Sequence, residues 1–447
     1  MTRHSRALRG GRTSSAWPLS ALAALALVAP AAAADLPLEA AVRAAWQRHL
    51  GLAAADAQVA AARADAAAAG AAAFPTLSVQ ARAVRTDEPV AAFGLRLDQG
   101  RIAMQDFVPA RLNDPPALSA VGAGVTLTQP IYAGGRISAG HRALGAAADA
   151  EAASRERRAQ ELALGVVEAY FGAQVAAEGL GYADDLLVQA RETERFVQSR
   201  NRQGLALDSD VARATAFRAS AEAERAAAAQ RVETARSALV LLAGDDVASS
   251  PLSTSVDAPP PPLPAAGDRP DVRAARLRSD AARAGVDAAR GALLPELAAQ
   301  ASLETLRTPE LDSGTSWYTI GVVARWQVGV ADASRLSAAR ARARAADAAL
   351  GWLERESRRD AEEARRAVET AAVRARSAEE AVAASESART LRLARHRQGL
   401  LPLTDVLDAE SGLAGARALL LQSRLDSRVA RARLALALGT PIEGITP

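Results

Sequence analysis

The sequence contains an internal repeat, and this repeat limits the possible folds more than any other feature. The run Arg202-Gln203-Gly204-Leu205 recurs as Arg397-Gln398-Gly399-Leu400, 195 residues later, and the same offset places Asp210 on Asp405. The proline-rich run 259–264 between the halves predicts a stiff, extended spacer. We therefore expect two structural repeats, at 35–255 and 269–440, joined by a Pro-rich linker at 256–268 and followed by a C-terminal tail at 441–447.

Apolar or small residues recur every seven positions along a long segment of each half. The rows include Val166, Ala173, Leu180 and Leu187 in the first half, and Ala364, Ala371 and Ala378 in the second. This spacing predicts coiled-coil helices, and the segment 136–203 would span about 100 Å at 1.5 Å per residue. Gly204 and Gly399 can end such helices in the left-handed conformation, which predicts helical hairpins with tips near 204–209 and 399–404.

Four segments change to a period of two, which predicts strands. They lie at about 75–86, 120–131, 296–307 and 317–328. One face of each is apolar, whereas the other carries polar or small residues, including Arg82, Glu304 and Arg325. These strands are long enough to cross a bilayer at a tilt. A soluble sheet with one buried face would show the same alternation, but the export signal and the long helices favour a membrane.

The first 34 residues have the three zones of a secretory signal. An Arg-bearing start precedes the apolar stretch Leu19–Val28, and the run Ala31–Ala34 follows as a small-residue cleavage site. A membrane anchor is the alternative, but this apolar stretch is shorter than the roughly 20 residues that a spanning helix needs. We expect a mature chain that begins at Asp35 and leaves the cytoplasm.

Composition excludes several classes of function. The 54 basic residues nearly balance the 51 acidic ones, and four of the basic residues lie within the expected signal. A nucleic-acid-binding face is not expected, because phosphate binding needs concentrated positive charge. The chain has no cysteine, and His49, His141 and His396 lie on separate predicted elements. We expect no metal site, no cofactor and no enzymatic activity.

Four strands are too few to close a membrane barrel, since known membrane barrels begin at about eight. An open sheet edge in lipid would leave unpaired backbone N–H and C=O groups, each costing several kcal/mol. The chain is therefore expected to close its sheet with further copies of itself. Strand arithmetic permits two copies or three.

Four stretches, in this order, resemble the TolC-like outer membrane efflux family. They are Leu127 to Arg136, Arg269 to Ala275, Gly291 to Pro295 and Gly399 to Ala409. The first resembles the passage from the second strand into the long helix, with Pro130, Gly134 and Gly135 at the turn. The second resembles the opening of the second repeat, notably in members that serve resistance-nodulation-division pumps.

The resemblance implies a mainly α-helical fold with a membrane β part. It implies a homotrimer in the outer membrane lipid, in which a 12-stranded β-barrel continues into a periplasmic α-barrel. The chain would be the passive exit duct of a tripartite efflux system, with its energy supplied by an inner membrane transporter. A periplasmic adaptor protein would dock at the hairpin tips, which places Gly204, Leu205, Gly399 and Leu400 at that contact.

In the family, acidic residues at the second tip surround the closed periplasmic mouth. Asp405 and Asp408 match them, and Asp210 on the first tip is a weaker candidate. The alternative is that these carboxylates only stabilise helix N-termini. Family members can also carry a Tyr and an Arg that lock the aperture, where this chain has His396 and Leu401.

Three questions stay open at the level of sequence. The loop from Asp87 to Ser119 either caps the outer mouth in part or is an unstructured surface loop. The same tunnel could serve a type I protein secretion system, because only the partners differ. An envelope coiled-coil scaffold without a pore is the alternative from another functional class.

Overall fold

The structure is a computed structural model that describes residues 35–248, 250–259, 261–262, 265–308 and 313–445. The expected export signal and part of the proline-rich run lie outside the described residues. Within these ranges, no helix combines the length and the apolar character that a membrane span requires.

The expected fold class is confirmed as mainly helical with a small sheet. The helices are α1 (Leu38–Arg48), α2 (Leu50–Ala71), α3 (Pro89–Asp98), α4 (Pro109–Asn113), α5 (Arg136–Arg202), α6 (Asp208–Ala243), α7 (Pro270–Gly291), α8 (Val330–Arg397) and α9 (Leu403–Leu438). The strands are β1 (Thr76–Thr86), β2 (Leu118–Ala133), β3 (Glu296–Thr308) and β4 (Ser313–Arg325). Short 3-10 helices occur at Met104–Phe107 and Asp245–Val247.

The strands form one antiparallel sheet in the order β1-β2-β3-β4. Its register places Val79 opposite Val125, Val125 opposite Leu303, and Leu303 opposite Tyr318. These four apolar side chains share one face and are all exposed. Since β1 and β4 are the outer strands of this sheet, each has one edge without a neighbouring strand among the described residues.

The long helices form two antiparallel hairpins, α5 with α6 and α8 with α9, and α5 also packs against α9. α5 has 67 residues and α8 has 68, so each is about 100 Å long at 1.5 Å per residue. Small side chains such as Ala173 and Ala190 are buried along α5. Close approach of helix axes follows from these small contacts.

The main core lies where α1, α5, α6 and α9 meet. Tyr170 and Phe171 of α5 are fully buried there, in an edge-to-face ring contact. The Tyr170 hydroxyl donates to the Leu36 carbonyl at 2.6 Å and accepts from the Thr254 N–H at 2.9 Å. The chain just after α6 is thus bound to the start of the described chain and to the middle of α5.

The start of the inter-repeat linker is bound to α9. Arg428 of α9 is buried and donates to the carbonyls of Ser255, Val256 and Ala258. Its guanidinium also lies over the Phe171 ring, 5.0 Å from the centroid. A buried guanidinium needs several acceptors, and the turn at 255–258 supplies them as backbone carbonyls.

The interpretation of the 87–119 segment as an unstructured loop is wrong. α3, α4 and the 3-10 helix between them lie inside this segment. Proline occupies the first helical turn of both α3 and α4, where its fixed φ suits the start of a helix. Two of the four prolines in this segment, Pro89 and Pro109, therefore begin short helices.

The motif at the start of the second repeat forms an ion-pair cluster. Arg269 donates from Nε and Nη2 to the two carboxylate oxygens of Asp271, at 3.1 and 2.7 Å, and its Nη1 lies 3.5 Å from Asp360 of α8. Burial acts to raise the pKa of Asp271, but the Arg269 hydrogen bonds and the charge of Arg157 outweigh it and hold that pKa below its ordinary value. The cluster joins the start of α7 to α5 and α8.

Candidate functional site

The first hairpin tip is a tight turn between α5 and α6. Gly204 has φ +71, the Gly204 N–H donates to the Asn201 carbonyl, and the Leu205 N–H donates to the Arg200 carbonyl, both at 2.9 Å. These two bonds define a Schellman motif, which ends a helix with a left-handed residue. Leu205 remains 61% exposed at the tip.

The second tip repeats this geometry between α8 and α9. Gly399 has φ +78, its N–H donates to the His396 carbonyl at 2.9 Å, and the Leu400 N–H donates to the Arg395 carbonyl at 3.0 Å. Leu400 is 68% exposed. Both tips therefore present an exposed leucine on a rigid turn, and the first tip has a second exposed leucine, Leu207.

A second bond braces each tip at equivalent positions of the repeat. Asn201 Nδ2 donates to the Ala206 carbonyl at 3.0 Å, and His396 Nδ1 contacts the Leu401 carbonyl at 2.8 Å. A carbonyl only accepts, so Nδ1 of His396 must carry its proton. The His396 ring also meets the Phe196 ring of α5 edge-on, with centroids 6.1 Å apart. His396 and Leu401 thus form an internal brace at the second tip.

The acidic candidates differ in their surroundings. Asp210 accepts from the Leu207 N–H at 3.4 Å and so caps the start of α6. Asp405 is half-buried and Asp408 is exposed. Neither of these two carboxylates makes an ion pair or a hydrogen bond within the described ranges. They are three residues apart on α9, which places them on neighbouring parts of one helix face.

The turn between sheet and helix is built on backbone contact. Gly134 and Gly135 have φ +62 and +79, and α5 begins at the next residue. A Cβ placed on Gly134 would lie 2.2 Å from the Gly291 carbonyl oxygen at the end of α7. Pro130 lies earlier, within β2, where the register with β3 shifts. The equivalent turn before α8 has Gly329 at φ −135 and no left-handed residue.

The exposed face of the sheet matches a lipid-facing surface. Ile320 and Val322 are exposed on β4 between Tyr318, near the middle of the strand, and Trp326, just past its end. The eight residue steps from Tyr318 to Trp326 span about 26 Å along the strand, or about 20 Å across a membrane at a 40° tilt. Aromatic rings at both borders of an apolar band are typical of outer membrane strands.

The opposite face of the sheet is polar. Arg82 of β1 and Glu304 of β3 point to this face and lie 3.8 Å apart, across Gly122 and Gly124 of β2. Both carboxylate and guanidinium remain partly exposed, which is the expected state for groups that line a water-filled channel.

The outer membrane efflux protein family matches the chain over residues 41–245 and 264–440. The chain belongs to this family. It is therefore an outer membrane efflux channel, located in the outer membrane with its helical part in the periplasm. Family members are the outer membrane channels of tripartite efflux systems. This finding rejects the alternative of a scaffold without a pore. No curated protein matches the sequence.

Solved structures of the same fold cover nearly the whole efflux protein. A membrane protein from Pseudomonas aeruginosa aligns with TM-score 0.78 and 23% identity, over 90% of this chain and 93% of that one. VceC from Vibrio cholerae aligns with TM-score 0.75 and 22% identity, over 91% and 96%. The Campylobacter jejuni CmeC channel gives TM-score 0.78 and 18% identity, over 92% and 87%.

Sequence reasoning missed two groups at this site. Asn201 is absent from the sequence-based predictions, although the 195-residue offset pairs it with His396 and is enough to identify it. Gly291 belongs to those predictions only as part of a motif. Its contact with Gly134 joins residues 157 positions apart, and no local pattern signals such a contact.

Proposed function

We propose that three copies of this efflux protein close one 12-stranded barrel and form the exit duct of a tripartite efflux system. The observation that carries this proposal is the four-stranded sheet with an apolar exposed face and two open edges. An open edge in lipid is costly. Because β1 and β4 run in opposite directions in the antiparallel sheet, β4 of one copy can pair antiparallel with β1 of the next.

The number three rests on the family resemblance, because two copies would also remove the edges. Three copies would bring six hairpins together below the barrel, with helices of about 100 Å that suit a tunnel across the periplasm. The efflux protein would be a passive conduit, since transport energy comes from a pump in the inner membrane.

The hairpin tips would bind a periplasmic adaptor. Two Schellman turns hold Leu205 and Leu400 in exposed positions, which leaves both side chains accessible to a partner. The second-repeat motif at Arg269–Asp271 favours a resistance-nodulation-division transporter as the inner membrane partner.

Asp405 and Asp408 would line the closed periplasmic mouth. Neither is engaged elsewhere in the described chain, whereas Asp210 already caps α6. Six carboxylates in one aperture would attract cations and would repel one another, which favours opening.

The test is the assembly and conductance of the purified protein. The unheated protein in detergent should migrate on a gel as a trimer that heating converts to monomer, and it should produce conductance steps in a planar bilayer. The heated sample is the control, since the separated chains have open edges and should not conduct. A monomer without conductance steps before heating would contradict the proposal.

A further inference from the structure

The segment between β1 and β2 folds into a small helical unit, here named the β1–β2 cap (residues 87–117). Its helices α3 and α4 pack around Asp106, which is only 5% exposed. Arg96 Nη1 lies 2.5 Å from Asp106 Oδ1, Arg111 lies 3.8 Å away, and the Ala103 N–H donates to Oδ2 at 2.9 Å. This buried carboxylate makes the cap a preformed unit with fixed side-chain positions.

The cap is bound across three strands at the outer end of the sheet. Gln99 Nε2 lies 3.4 Å from the Ser119 carbonyl of β2, and Arg101 Nη1 lies 3.5 Å from the Thr308 hydroxyl of β3. The Thr315 hydroxyl of β4 donates to the Asp98 carbonyl. The cap segment Asp98–Arg101 therefore runs over the sheet itself.

The face that it covers is the polar face. Thr308 and Thr315 share a side of the sheet with Leu306, because Leu306 is opposite Thr315 and two residues from Thr308. Leu306 and Arg82 both lie beside the Gly122 position, so this side is also the side of Arg82. Leu306 is fully buried although it lies on the polar face. The cap thus lies on the wall of the channel and not on the lipid side.

Large apolar side chains remain exposed on the cap. Val90 and Met104 are 81% and 86% exposed, and Phe107 and Val108 are 53% and 49% exposed. Phe107 is held in place by an edge-on contact with Phe93, with centroids 5.8 Å apart. Exposure of several large apolar groups on one small unit is typical of a contact surface.

We propose that Met104, Phe107 and Val108 of each cap pack against the same residues of the other two copies at the channel axis, and that this contact closes the outer mouth. The inference rests on the proposed trimer. In a closed barrel, a unit fixed to the inner wall faces the same unit of the other copies across the lumen. Burial of these side chains favours the closed state.

The closed caps would limit what leaves the channel. An apolar constriction excludes water and ions until it widens, so substrate would pass only when the three caps separate. The Asp106 ion pairs hold each cap as a unit, and separation would therefore need movement of whole caps relative to the wall.

Cross-linking tests the contact directly, because the chain has no cysteine of its own. The full-length Met104→Cys protein, assembled in detergent, is treated with a short bis-maleimide. We expect a covalent dimer on a denaturing gel, since one reagent joins two of three thiols. Tyr318→Cys is the control, because this lipid-facing position is 76% exposed and lies on the outside of the barrel. It should remain monomeric.

Conductance gives an independent measurement. Met104→Asp should raise single-channel conductance about two-fold or more, because a charge at the contact opens and wets the constriction. Asn113→Asp adds the same charge at the exposed end of α4 and should leave conductance unchanged.

The outcomes separate the two proposals. A trimer without cross-linking at Met104→Cys, and with wild-type conductance in Met104→Asp, would overturn the cap contact while the duct proposal stands. A protein that is monomeric before heating would overturn the proposed function and this inference together.

Discussion

The contact between Gly134 and Gly291 permits a matched test of how the sheet is joined to the helices. Gly134→Ala would place a Cβ 2.2 Å from the Gly291 carbonyl oxygen and 2.8 Å from the Leu294 Cβ. Gly135→Ala is the control. Gly135 is also left-handed, but apart from its chain neighbours no atom would lie within 4 Å of a Cβ added to it.

The expected magnitudes follow from this difference. Both substitutions place an L-residue at positive φ, which costs about 1–2 kcal/mol. Gly134→Ala must also move the end of α7 away from the turn, and such overpacking costs about 1–3 kcal/mol more. We therefore expect Gly134→Ala to destabilise the protein by about 2–5 kcal/mol and Gly135→Ala by about 1–2 kcal/mol.

The assay is the temperature at which the assembled protein dissociates, measured on gels of samples heated in steps. Gly134→Ala should lower this temperature clearly more than Gly135→Ala. Equal decreases would show that the strain at positive φ dominates, and that the carbonyl of Gly291 does not restrict this turn.

Three further predictions concern the tips and the ion-pair cluster. Asp405→Ala combined with Asp408→Ala should weaken cation preference and raise conductance in a planar bilayer, and unchanged ion selectivity would remove the gate assignment. Gly399→Ala should cost about 1–2 kcal/mol, because it places an L-residue at φ +78. It should reduce binding to the adaptor but leave the trimer on gels, whereas loss of the trimer would contradict a role confined to docking. Asp271→Asn should destabilise the protein by about 3 kcal/mol at neutral pH, because it leaves the buried Arg269 without its bidentate partner. The folded-state pKa of Asp271 is lowered, so its stabilising effect is complete above the unfolded-state pKa of about 3.9 and disappears as pH falls through the folded-state value. The wild type and Asp271→Asn should therefore differ in dissociation temperature at neutral pH and should not differ below the folded-state pKa. A difference that stays constant with pH would refute this account.

Periodicity in the sequence predicted much of the fold. Apolar or small residues that recur every seven positions over several turns indicate a long helix with a seam of small residues. The helices α5 and α8 were therefore predictable. The alternation at Tyr318, Ile320 and Val322 separates the two faces of β4 without any knowledge of its neighbours. Gly204 and Gly399 mark the tips because a left-handed turn favours glycine.

Prediction was weaker where polar and apolar spacing is irregular. The 87–119 segment carries four prolines, and proline marks both irregular loops and helix starts. Tertiary contacts decide between these alternatives, among them those of Asp106 with Arg96 and Arg111, which hold α3 and α4 together.

The sequence by itself determined the helices, the strands, the hairpin tips and the need for further copies, because each of these follows from local spacing or from the backbone requirements of a membrane. Tertiary structure alone decided that Arg428 binds the linker carbonyls, that Gly134 contacts Gly291, and that the β1–β2 cap lies on the polar face of the sheet. These contacts join residues that are far apart in the chain, and their free energies depend on burial and distance, which no local pattern encodes.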